Sequence, residues 1–279
     1  MKFTKIHGLG NDYIYFNNLN NKIKLNSDDI KRLCNRHIGI GADGIILLEK
    51  SNIADFKMRI FNSDGSEAEM CGNGIRGLAK YIYDNKIKTE DYLTIETKAG
   101  IKNIKLIINN KKIDSIIVDM GNVELESSKI PVNINEKTCI NHPININDNN
   151  YLFTAISVGN PHCIIFMKSI DKLDIAGIGY KLENHPIFPN KTNVEFIEII
   201  DKNNIKMRVW ERGSGETLAC GTGSVAAVVA GIITNKLNNN CNVHLPMGIL
   251  NVYYDKKYNH AYLKGTNETI FEGKIKKGR

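Results

Sequence analysis

The 279-residue chain lacks the features that mark several large classes of protein. No stretch approaches eighteen consecutive apolar residues, so the sequence predicts no membrane-spanning helix. The first residues, MKFTKIHGLGNDY, include lysines but no apolar segment, and we expect no secretory signal peptide. The six cysteines form no CxxC pair and no His/Cys cluster at zinc spacing, which predicts neither a disulfide scaffold nor a metal site. These absences favour a cytoplasmic protein with reduced thiols and no membrane partner.

Acidic residues are fewer than basic ones, with 30 Asp and Glu against 37 Lys and Arg, a net charge of +7. The lysines are scattered, whereas nucleic-acid-binding proteins cluster their basic residues, so we expect no nucleic-acid partner. The chain is 42% hydrophobic, and its length suits one large domain or two of about 140 residues.

The most informative feature is an internal repeat. Residues 57–74, KMRIFNSDGSEAEMCGNG, align without a gap on residues 206–223, KMRVWERGSGETLACGTG, at an offset of 149. The same offset places Gly10-Asn11 on Gly159-Asn160 and Gly44 on Asn193. Three separate stretches that agree on one offset indicate two homologous halves related by a pseudo-twofold axis.

Each half repeats the same local pattern. KMRIF and KMRVW alternate their side chains as strands do, and glycine-rich loops follow them. After each loop the spacing of apolar residues predicts a helix, over 74–84 and over 223–234. Further short strands are predicted at 92–97, 104–108, 115–119, 163–167, 194–200, 242–245 and 249–254.

This pattern predicts an α/β fold of the α+β type with two pseudo-symmetric domains. Each domain is expected to be a β-barrel-like sheet wrapped around one central helix, with the active site in the cleft between the domains. The predicted domains are 1–117, with the segment 263–279 packing back on it, and 118–262.

The two Cys-Gly-X-Gly turns, CGNG and CGTG, place Cys71 and Cys220 where a helix begins. A helix N-terminus carries unpaired N–H groups and about half a positive charge, which stabilise a thiolate and bind anions. Two such thiols, facing each other across a substrate, could remove a proton from one face of a carbon and return one to the other. This chemistry needs no cofactor, and GLGND lacks the GxGxxG spacing of a dinucleotide site.

Several motifs resemble those of one known family. HGLGNDY at 7–13, GADG at 41–44, FNSDGSEAEMCGNGIR at 61–76, SVGNPHC at 157–163, TNVEF at 192–196 and ERGSGETLACGTGS at 211–224 are similar to diaminopimelate epimerases. The resemblance extends to about residue 273. It implies interconversion of LL- and meso-2,6-diaminopimelate without pyridoxal phosphate, in lysine and peptidoglycan-precursor synthesis. It also implies two pseudo-symmetric domains.

The resemblance implies a role for individual residues. Cys71 and Cys220 would be the acid/base pair, and His162 and Glu211 would tune the thiol pKa values. The residues implied to bind substrate are Asn11, Asn62, Gly72, Asn73, Asn160, Asn193, Glu211, Arg212, Gly221 and Thr222. Their chemistry agrees, since an arginine can bind a carboxylate with two hydrogen bonds and a glutamate can accept from an ammonium group.

Two positions depart from the family. Some members have Gln where this chain has Gly44, so no side-chain ligand role is expected there. Phe271 stands where a Tyr often lies at the family's dimer contact, and a homodimer is expected without that hydroxyl's hydrogen bond. The remaining cysteines, which match no catalytic position, are predicted to be packing residues: Cys34, Cys139, Cys163 and Cys241.

Three other functions remain open at this point. A proline or hydroxyproline racemase of the same fold would act on a ring amino acid with one carboxylate; Glu211-Arg212 and the several asparagines favour a longer substrate. A thiol–disulfide redox or sensor protein would need two nearby thiols but not an anion-binding turn at both. A non-enzymatic binding module would have no use for two matched cysteines.

Overall fold

The computed structural model describes residues 1–275. Within that range the α-helices are α1 (Ser27–Cys34), α2 (Gly72–Asp84), α3 (Ile175–Glu183) and α4 (Gly221–Ile233). The strands are β1 (Lys2–Gly8), β2 (Asn11–Asn17), β3 (Gly44–Glu49), β4 (Phe56–Asn62), β5 (Glu67–Ala68), β6 (Tyr92–Thr97), β7 (Gly100–Asn109), β8 (Lys112–Asn122), β9 (His142–Ile146), β10 (Asn149–Ser157), β11 (Pro161–Met167), β12 (Asn193–Asp201), β13 (Asn204–Glu211), β14 (Gly215–Thr217), β15 (Asn240–Leu245), β16 (Gly248–Asp255), β17 (His260–Gly265) and β18 (Glu268–Lys274). None of these helices has the length and apolar character needed to span a bilayer.

The chain divides into two compact units. The first comprises Met1–Asp119 and the segment that begins at Lys264, and the second comprises Met120–Leu263. These limits lie within two residues of the limits expected from the sequence. The returning segment forms β18, which pairs antiparallel with β1. The last four residues of the predicted segment, 276–279, lie outside the described part of the chain.

The two units repeat one strand topology. In the first unit β1 and β2 are antiparallel, β2 and β3 parallel, β3 and β4 antiparallel, β4 and β6 parallel, and β6 and β7 antiparallel. The second unit has the same sequence of pairings among β10, β11, β12, β13, β15 and β16. Even the register agrees, since Tyr13 pairs with Gly44 and His162 pairs with Asn193. The halves are therefore copies of one fold.

One helix lies at the centre of each unit. Strands β1, β2, β3, β4 and β7 contact α2, and strands β10, β11, β12, β15 and β16 contact α4. The predicted core face of α2, which includes Ile75, Leu78 and Ile82, is buried. Helix α4 is buried all round, including every residue from 225 to 230. The expected β-barrel-like sheet around a central helix is confirmed.

Both central helices begin earlier than predicted, at Gly72 and Gly221 rather than at residues 74 and 223. The cysteine side chain explains the difference, because it acts as the N-cap. Cys71 Sγ accepts a hydrogen bond from the Gly74 N–H at 3.4 Å, and Cys220 Sγ accepts one from the Gly223 N–H at 3.4 Å. A side-chain acceptor for the third N–H group allows the glycine-rich residues to form the first turn.

The prediction of one helix per half was incomplete, because each unit has a second helix. The offset of 149 carries residues 27–34 of α1 onto 176–183, nearly the whole of α3. Helix α1 is short and mostly polar, and its buried residues are only Ile30, Leu33 and Cys34. It begins with a capping box, in which Asn26 accepts from the Asp29 N–H and Asp29 accepts from the Asn26 N–H.

Strand β2 lies between the two helices of its unit and sorts its side chains accordingly. Ile14 and Phe16 pack in one hydrophobic cluster with Ile30 and Leu33 of α1. The alternate residue Tyr15 points to α2, where its hydroxyl donates to the Gly74 carbonyl at 3.0 Å. Strand β11 alternates in the same way, with Cys163 in the cluster that contains α3 residues. Each unit therefore presents every second residue of one strand to the start of its central helix.

Replacing a buried leucine of α2 should cost far more stability than replacing an exposed one. Leu78 is 0% exposed and Leu152 is 58% exposed. We expect Leu78→Ala to lower the free energy of unfolding by about 2–5 kcal/mol, because it leaves a cavity beside the central helix. The matched control Leu152→Ala should change it by less than about 0.5 kcal/mol. Urea unfolding of both variants measures the difference, and equal effects would contradict the central position of α2.

Candidate active site

The two predicted catalytic cysteines occupy equivalent places in the two units. Cys71 is half-buried and Cys220 is 6% exposed, and each caps the N-terminus of a thirteen-residue helix. The first-turn residues Gly72 and Gly221 are buried beside them. The helix dipole and the first-turn N–H groups place partial positive charge next to both sulfurs, which stabilises an anion there.

In the first unit a network of polar side chains surrounds Cys71. The Tyr13 hydroxyl donates to Cys71 Sγ at 3.4 Å, and Asn11 Oδ1 lies 3.6 Å from the same sulfur. Asn73 Nδ2 donates to Asn11 Oδ1 at 3.3 Å, and Asn11 Nδ2 donates to Asp43 at 2.9 Å. The structure thus brings three predicted residues, Asn11, Gly72 and Asn73, to the first cysteine, and the network fixes the orientation of both amides.

A fully buried arginine, Arg76, lies on the first turns of α2. Its guanidinium donates to the Gly72 carbonyl at 3.2 Å, to Asn73 Oδ1 at 2.7 Å and to Asn267 Oδ1 at 3.3 Å. Asn267 in turn donates to the Asn73 carbonyl at 3.1 Å. Burial lowers the pKa of Arg76 to about 10, so the side chain remains a cation at neutral pH. These bonds hold Asn73 in place beside Cys71.

In the second unit acidic side chains surround Cys220. The Cys220 sulfur lies 3.5 Å from the Thr222 hydroxyl and interacts electrostatically with Glu211 and Glu195. Burial, and after it the charges of Glu211 and Glu195, raise the pKa of the Cys220 thiol well above its ordinary value. Burial also raises the pKa of Glu211, and the hydrogen bond from Thr217 offsets part of that rise. The local charges therefore favour the protonated form of Cys220.

His162 forms a buried pair with Glu195. His162 Nδ1 lies 2.7 Å from Glu195 Oε1, and both side chains are fully buried. The other ring nitrogen lies 3.0 Å from Asn160 Oδ1. The predicted residues Asn160 and His162 thus contact each other at the start of β11. Gly159, which precedes them, has a φ of 94° that favours glycine, and Gly10 has a φ of 87° before Asn11.

Asn193, Glu211 and Arg212 come together at the ends of β12 and β13. Asn193 donates to the Pro161 carbonyl at 2.9 Å and accepts from the Arg212 backbone N–H at 3.0 Å. The Arg212 side chain is exposed and makes one hydrogen bond, 3.1 Å from Nη1 to the Asn190 carbonyl. Most of the guanidinium N–H donors of Arg212 therefore make no hydrogen bond to the described residues.

Two positions stand apart from the networks. Asn62 is exposed at the end of β4 and donates to the Ser66 hydroxyl at 3.0 Å, with no contact to the Cys71 network among the described hydrogen bonds. At Gly44 a Cβ atom would lie 2.2 Å from the Phe61 carbonyl oxygen, so a side chain cannot be accommodated without movement of the backbone. This agrees with the expectation that residue 44 supplies no side-chain ligand.

The other cysteines are buried away from these networks. Cys34 packs in the cluster that contains α1 residues, and Cys139 and Cys163 pack in the cluster that contains α3 residues. Burial raises the pKa of Cys34 to about 11 and those of Cys139 and Cys241 to about 12. These thiols are therefore protonated at neutral pH, as expected of packing residues.

Sequence reasoning did not select Tyr13, Arg76 or Glu195. A signal for two of them was present in the repeat, because the offset of 149 places Tyr13 on His162 and Ile46 on Glu195. A charged residue between the buried Val194 and Phe196 of β12 was a second sign. Arg76 lay inside a recognised motif, but its burial depends on tertiary packing. Within residues 1–275, no group of three or more His, Cys, Asp or Glu side chains could hold a metal ion.

Known proteins resemble this chain over almost its whole length. A sequence model of the family described as diaminopimelate epimerase matches residues 3–126 and 154–270. The diaminopimelate epimerase of Methanococcus maripaludis is 48% identical over 275 residues, covering 99% of both chains. That of Brachyspira hyodysenteriae is 48% identical over 278 residues, again covering 99% of both.

Solved structures of more distant proteins share the fold. A hydroxyproline epimerase from Agrobacterium vitis has a TM-score of 0.71 at 12% identity, covering 98% of this chain and 91% of its own. A phenazine biosynthesis protein of the PhzF family from Bacillus anthracis has a TM-score of 0.70 at 18% identity, covering 99% and 98%. At such identities the likeness concerns the fold alone. The full-length similarity to the curated enzymes is decisive, and the chain belongs to the diaminopimelate epimerase family.

Proposed function

We propose that Cys71 and Cys220 are the acid and base of an epimerase that interconverts LL- and meso-2,6-diaminopimelate. Family membership makes the chain a diaminopimelate epimerase, an isomerase of lysine biosynthesis that works without pyridoxal phosphate. The proposal adds which residues carry the reaction. Peptidoglycan-precursor synthesis, which also uses the meso product, belongs to the proposal.

One observation carries the assignment of the two cysteines. Each thiol is the N-cap of the central helix of its unit, with its sulfur 3.4 Å from the N–H of the third following residue. A packing cysteine needs no such position, and the other four cysteines do not have it. Two helix-capping thiols on duplicated units are what a two-base reaction requires, one for each face of the substrate carbon.

The proton balance of the proposed reaction is simple. A thiolate removes the proton of the α carbon, and the electron pair of the broken C–H bond is delocalised into the neighbouring carboxylate. The opposite thiol then donates its proton to the other face, so the stereocentre is inverted and the two sulfurs exchange protonation states. N–H groups at the helix N-termini stabilise the charge that develops on the carboxylate. Exchange with solvent restores the starting state.

We assign the polar residues near the cysteines to binding the two amino acid ends of the substrate. In this proposal the exposed Arg212 binds a carboxylate, and Glu211 accepts from an ammonium group. Asn11, Asn62, Asn73, Asn160 and Asn193 supply further donors and acceptors, and Gly72, Gly221 and Thr222 supply backbone N–H groups. His162 and Glu211 adjust the protonation of Cys220. A substrate with one carboxylate, such as proline, would leave several of these groups unused.

We further propose a homodimer in the cytoplasm. Ile270 and Phe271 are 49% and 44% exposed on β18, which pairs with β1. The Phe271 ring packs edge-on against Phe3, with 5.9 Å between ring centroids. The exposed phenyl ring of Phe271 suits an apolar contact with a second copy. All six cysteines are free thiols, as suits a reducing compartment.

The dimer proposal predicts that Phe271→Asp shifts the protein toward a monomer. A charged side chain in an apolar contact loses its hydration without gaining a partner. Sedimentation velocity over a series of concentrations measures the change, and Tyr258→Asp, at a residue that is 66% exposed elsewhere, is the control. A wild-type protein that is monomeric at all concentrations would refute the proposal.

The acid/base assignment predicts that Cys71→Ala and Cys220→Ala each reduce epimerisation at least about a thousandfold, since each removes the proton carrier for one face. Cys34→Ala and Cys241→Ala are matched controls, one from each unit, and should retain most of the activity. Chiral chromatography of the diaminopimelate isomers gives the rates, and circular dichroism checks the fold. Substantial turnover by either active-site variant would show that the assignment is wrong.

The two-base scheme predicts isotope incorporation. In D2O, LL-diaminopimelate should acquire one deuterium at the inverted carbon, because the donating thiol exchanges its proton with solvent. Mass spectrometry of the separated isomers measures the label, without added cofactor. Product free of deuterium would exclude the scheme. L-proline and trans-4-hydroxy-L-proline, tested in parallel, should not be racemised; turnover of either would support the competing ring-amino-acid function instead.

A further inference from the structure

Among the described residues, Arg76 is a buried cation that has no carboxylate partner. Its side chain is 0% exposed, and its three hydrogen-bond acceptors among the described residues are neutral: the Gly72 carbonyl, Asn73 Oδ1 and Asn267 Oδ1. Buried charges are normally paired, because neutral acceptors do not replace the lost hydration of an ion. Arg59, in contrast, is partly exposed and is paired with Glu67 at 2.8 Å. A nearby anion is therefore needed to balance the charge of the Arg76 guanidinium.

The internal repeat allows the charges around Cys71 and Cys220 to be compared position by position, and the two units differ in them. The offset of 149 places Val225 of α4 on Arg76, so the second unit has no cation there. It places Glu195 on Ile46, and Gly223 touches Glu195 as Gly74 touches Ile46. The offset also places His162 on Tyr13 and Glu211 on Asn62, so the second unit has further ionisable side chains where the first has neutral ones. Duplication has thus left one thiol beside a buried cation and the other beside buried carboxyl groups.

We propose that Arg76 is a positioning residue whose buried guanidinium holds Cys71 as a thiolate, while Cys220, which lacks such a cation, rests as a thiol. The proposal rests on the acid/base roles proposed above and adds the resting protonation state of each sulfur.

The anion that balances Arg76 is chosen from the ionisable groups next to it. Cys71 and Tyr15 interact electrostatically with Arg76, and Tyr13 hydrogen-bonds to Cys71; a thiol is intrinsically more acidic than a phenol. Burial raises the pKa values of Tyr13 and Tyr15 well above their ordinary value, and Cys71 adds to both effects. The phenols are therefore neutral, and Cys71 is the group that can ionise. Arg76 and Cys71 interact electrostatically, which places the thiolate as the counter-ion.

The hydrogen bonds at Cys71 mostly favour the charged sulfur. The Tyr13 hydroxyl and the Gly74 N–H both donate to Cys71 Sγ, each at 3.4 Å. Asn11 Oδ1, an acceptor 3.6 Å away, favours the thiol instead, but this contact is the longest of the three. Two donors and a buried cation outweigh one distant acceptor, because an ion attracts more strongly in a medium of low polarity.

Many of the other charged groups of the first unit form ion pairs with one another: Lys5 and Arg36 with Asp12, Arg36 with Asp43, Lys57 with Glu96, Arg59 with Glu67, and Lys80 with Asp84. Lys102 on β7 lies near Asp119. Paired charges largely cancel at a distance, whereas Arg76 has no carboxylate partner among the described residues.

Around Cys220 the charges act in the opposite direction. After burial, the charges of Glu211 and Glu195 raise the pKa of the Cys220 thiol, so they favour the sulfur with its proton. Glu195 has one oxygen on His162 and the other buried without a hydrogen-bond partner among the described residues. On the other strands packed against α4, His244 contacts Asn204, and Asp255 accepts from the Lys257 and Tyr258 N–H groups. No arginine or lysine takes the place of Arg76 in these contacts.

The test is the pH dependence of alkylation at each cysteine in the intact protein, measured with iodoacetamide and peptide mass spectrometry. The pH midpoint of the reaction, rather than its rate, is compared, because the two thiols differ in exposure. In the wild type we expect the midpoint of Cys71 to lie at least one pH unit below that of Cys220. A midpoint of Cys220 equal to or below that of Cys71 would overturn the proposal without any variant.

Variants identify the part played by Arg76. Arg76→Met keeps an unbranched side chain but removes the charge, and should raise the Cys71 midpoint by at least one pH unit. This corresponds to a tenfold slower reaction at pH values below the midpoint. Arg76→Lys keeps a positive charge but loses the planar group, and should raise the midpoint less. A merely structural role would make the two variants alike, and an unchanged midpoint in Arg76→Met would contradict the proposal.

Matched controls and a separate activity measurement complete the experiment. Arg59→Met removes a charge from the same unit and should leave both midpoints unchanged. Circular dichroism and urea unfolding confirm that each variant folds. If Arg76→Met does not fold, the proposal is tested by the order of the two thiol midpoints in the wild type and by the Cys71 midpoint of Arg76→Lys. Epimerisation of LL-diaminopimelate by the same wild-type preparation tests the proposed function independently. An active enzyme with equal thiol midpoints would refute only the role of Arg76, whereas an inactive one with separated midpoints would refute only the function.

Discussion

The hydrogen bond from a helix N–H group to a cysteine sulfur is the interaction on which the site depends. It occurs twice, from Gly74 to Cys71 and from Gly223 to Cys220. Because the sulfur is the N-cap, its position is fixed by the helix, and the helix is fixed by the sheet packed around it. A side chain that does chemistry is thereby attached to the most rigid element of each unit. Gly74 packs tightly on Ile46, and Gly223 packs tightly on Glu195, so both caps need glycine at this position.

Much of the fold followed from the sequence because duplication left a readable repeat. The strands predicted after residue 90 all occur, and both central helices are present, each starting two residues before its predicted limit. The early start could not be read from the sequence, since Gly-Asn-Gly and Gly-Thr-Gly are typical of loops. Only the cap formed by the cysteine makes them helical. Helices α1 and α3 were missed because the first has few apolar residues and because both are defined by packing on the outer side of a strand.

The residues of the candidate site also differ in whether the sequence predicts them. Residues inside recognisable motifs, such as Asn11, Asn160 and Asn193, lie where networks form around the helix starts or the strand ends. Residues that act through burial were not selected, since a sequence does not show which of its charges are withdrawn from water. Arg76 and Glu195 are the clearest cases, each fully buried and flanked in the sequence by buried residues. The scaffold is symmetric and its buried charges are not, so the two sulfurs share a geometry but differ in their electrostatics.

The segment that begins at Lys264 completes the part of the site that lies in the first unit. The N-terminal ammonium group of Met1 donates to the Ile275 carbonyl at 2.7 Å, and β18 lies beside β1. Asn267, just before β18, binds both Arg76 and the Asn73 carbonyl. During synthesis on the ribosome, residues 1–119 therefore emerge long before β18 and Asn267, which complete their unit. The second unit, Met120–Leu263, is synthesised first, so the start of α2 acquires its hydrogen bonds with Asn267 only after the whole of the second unit has been made.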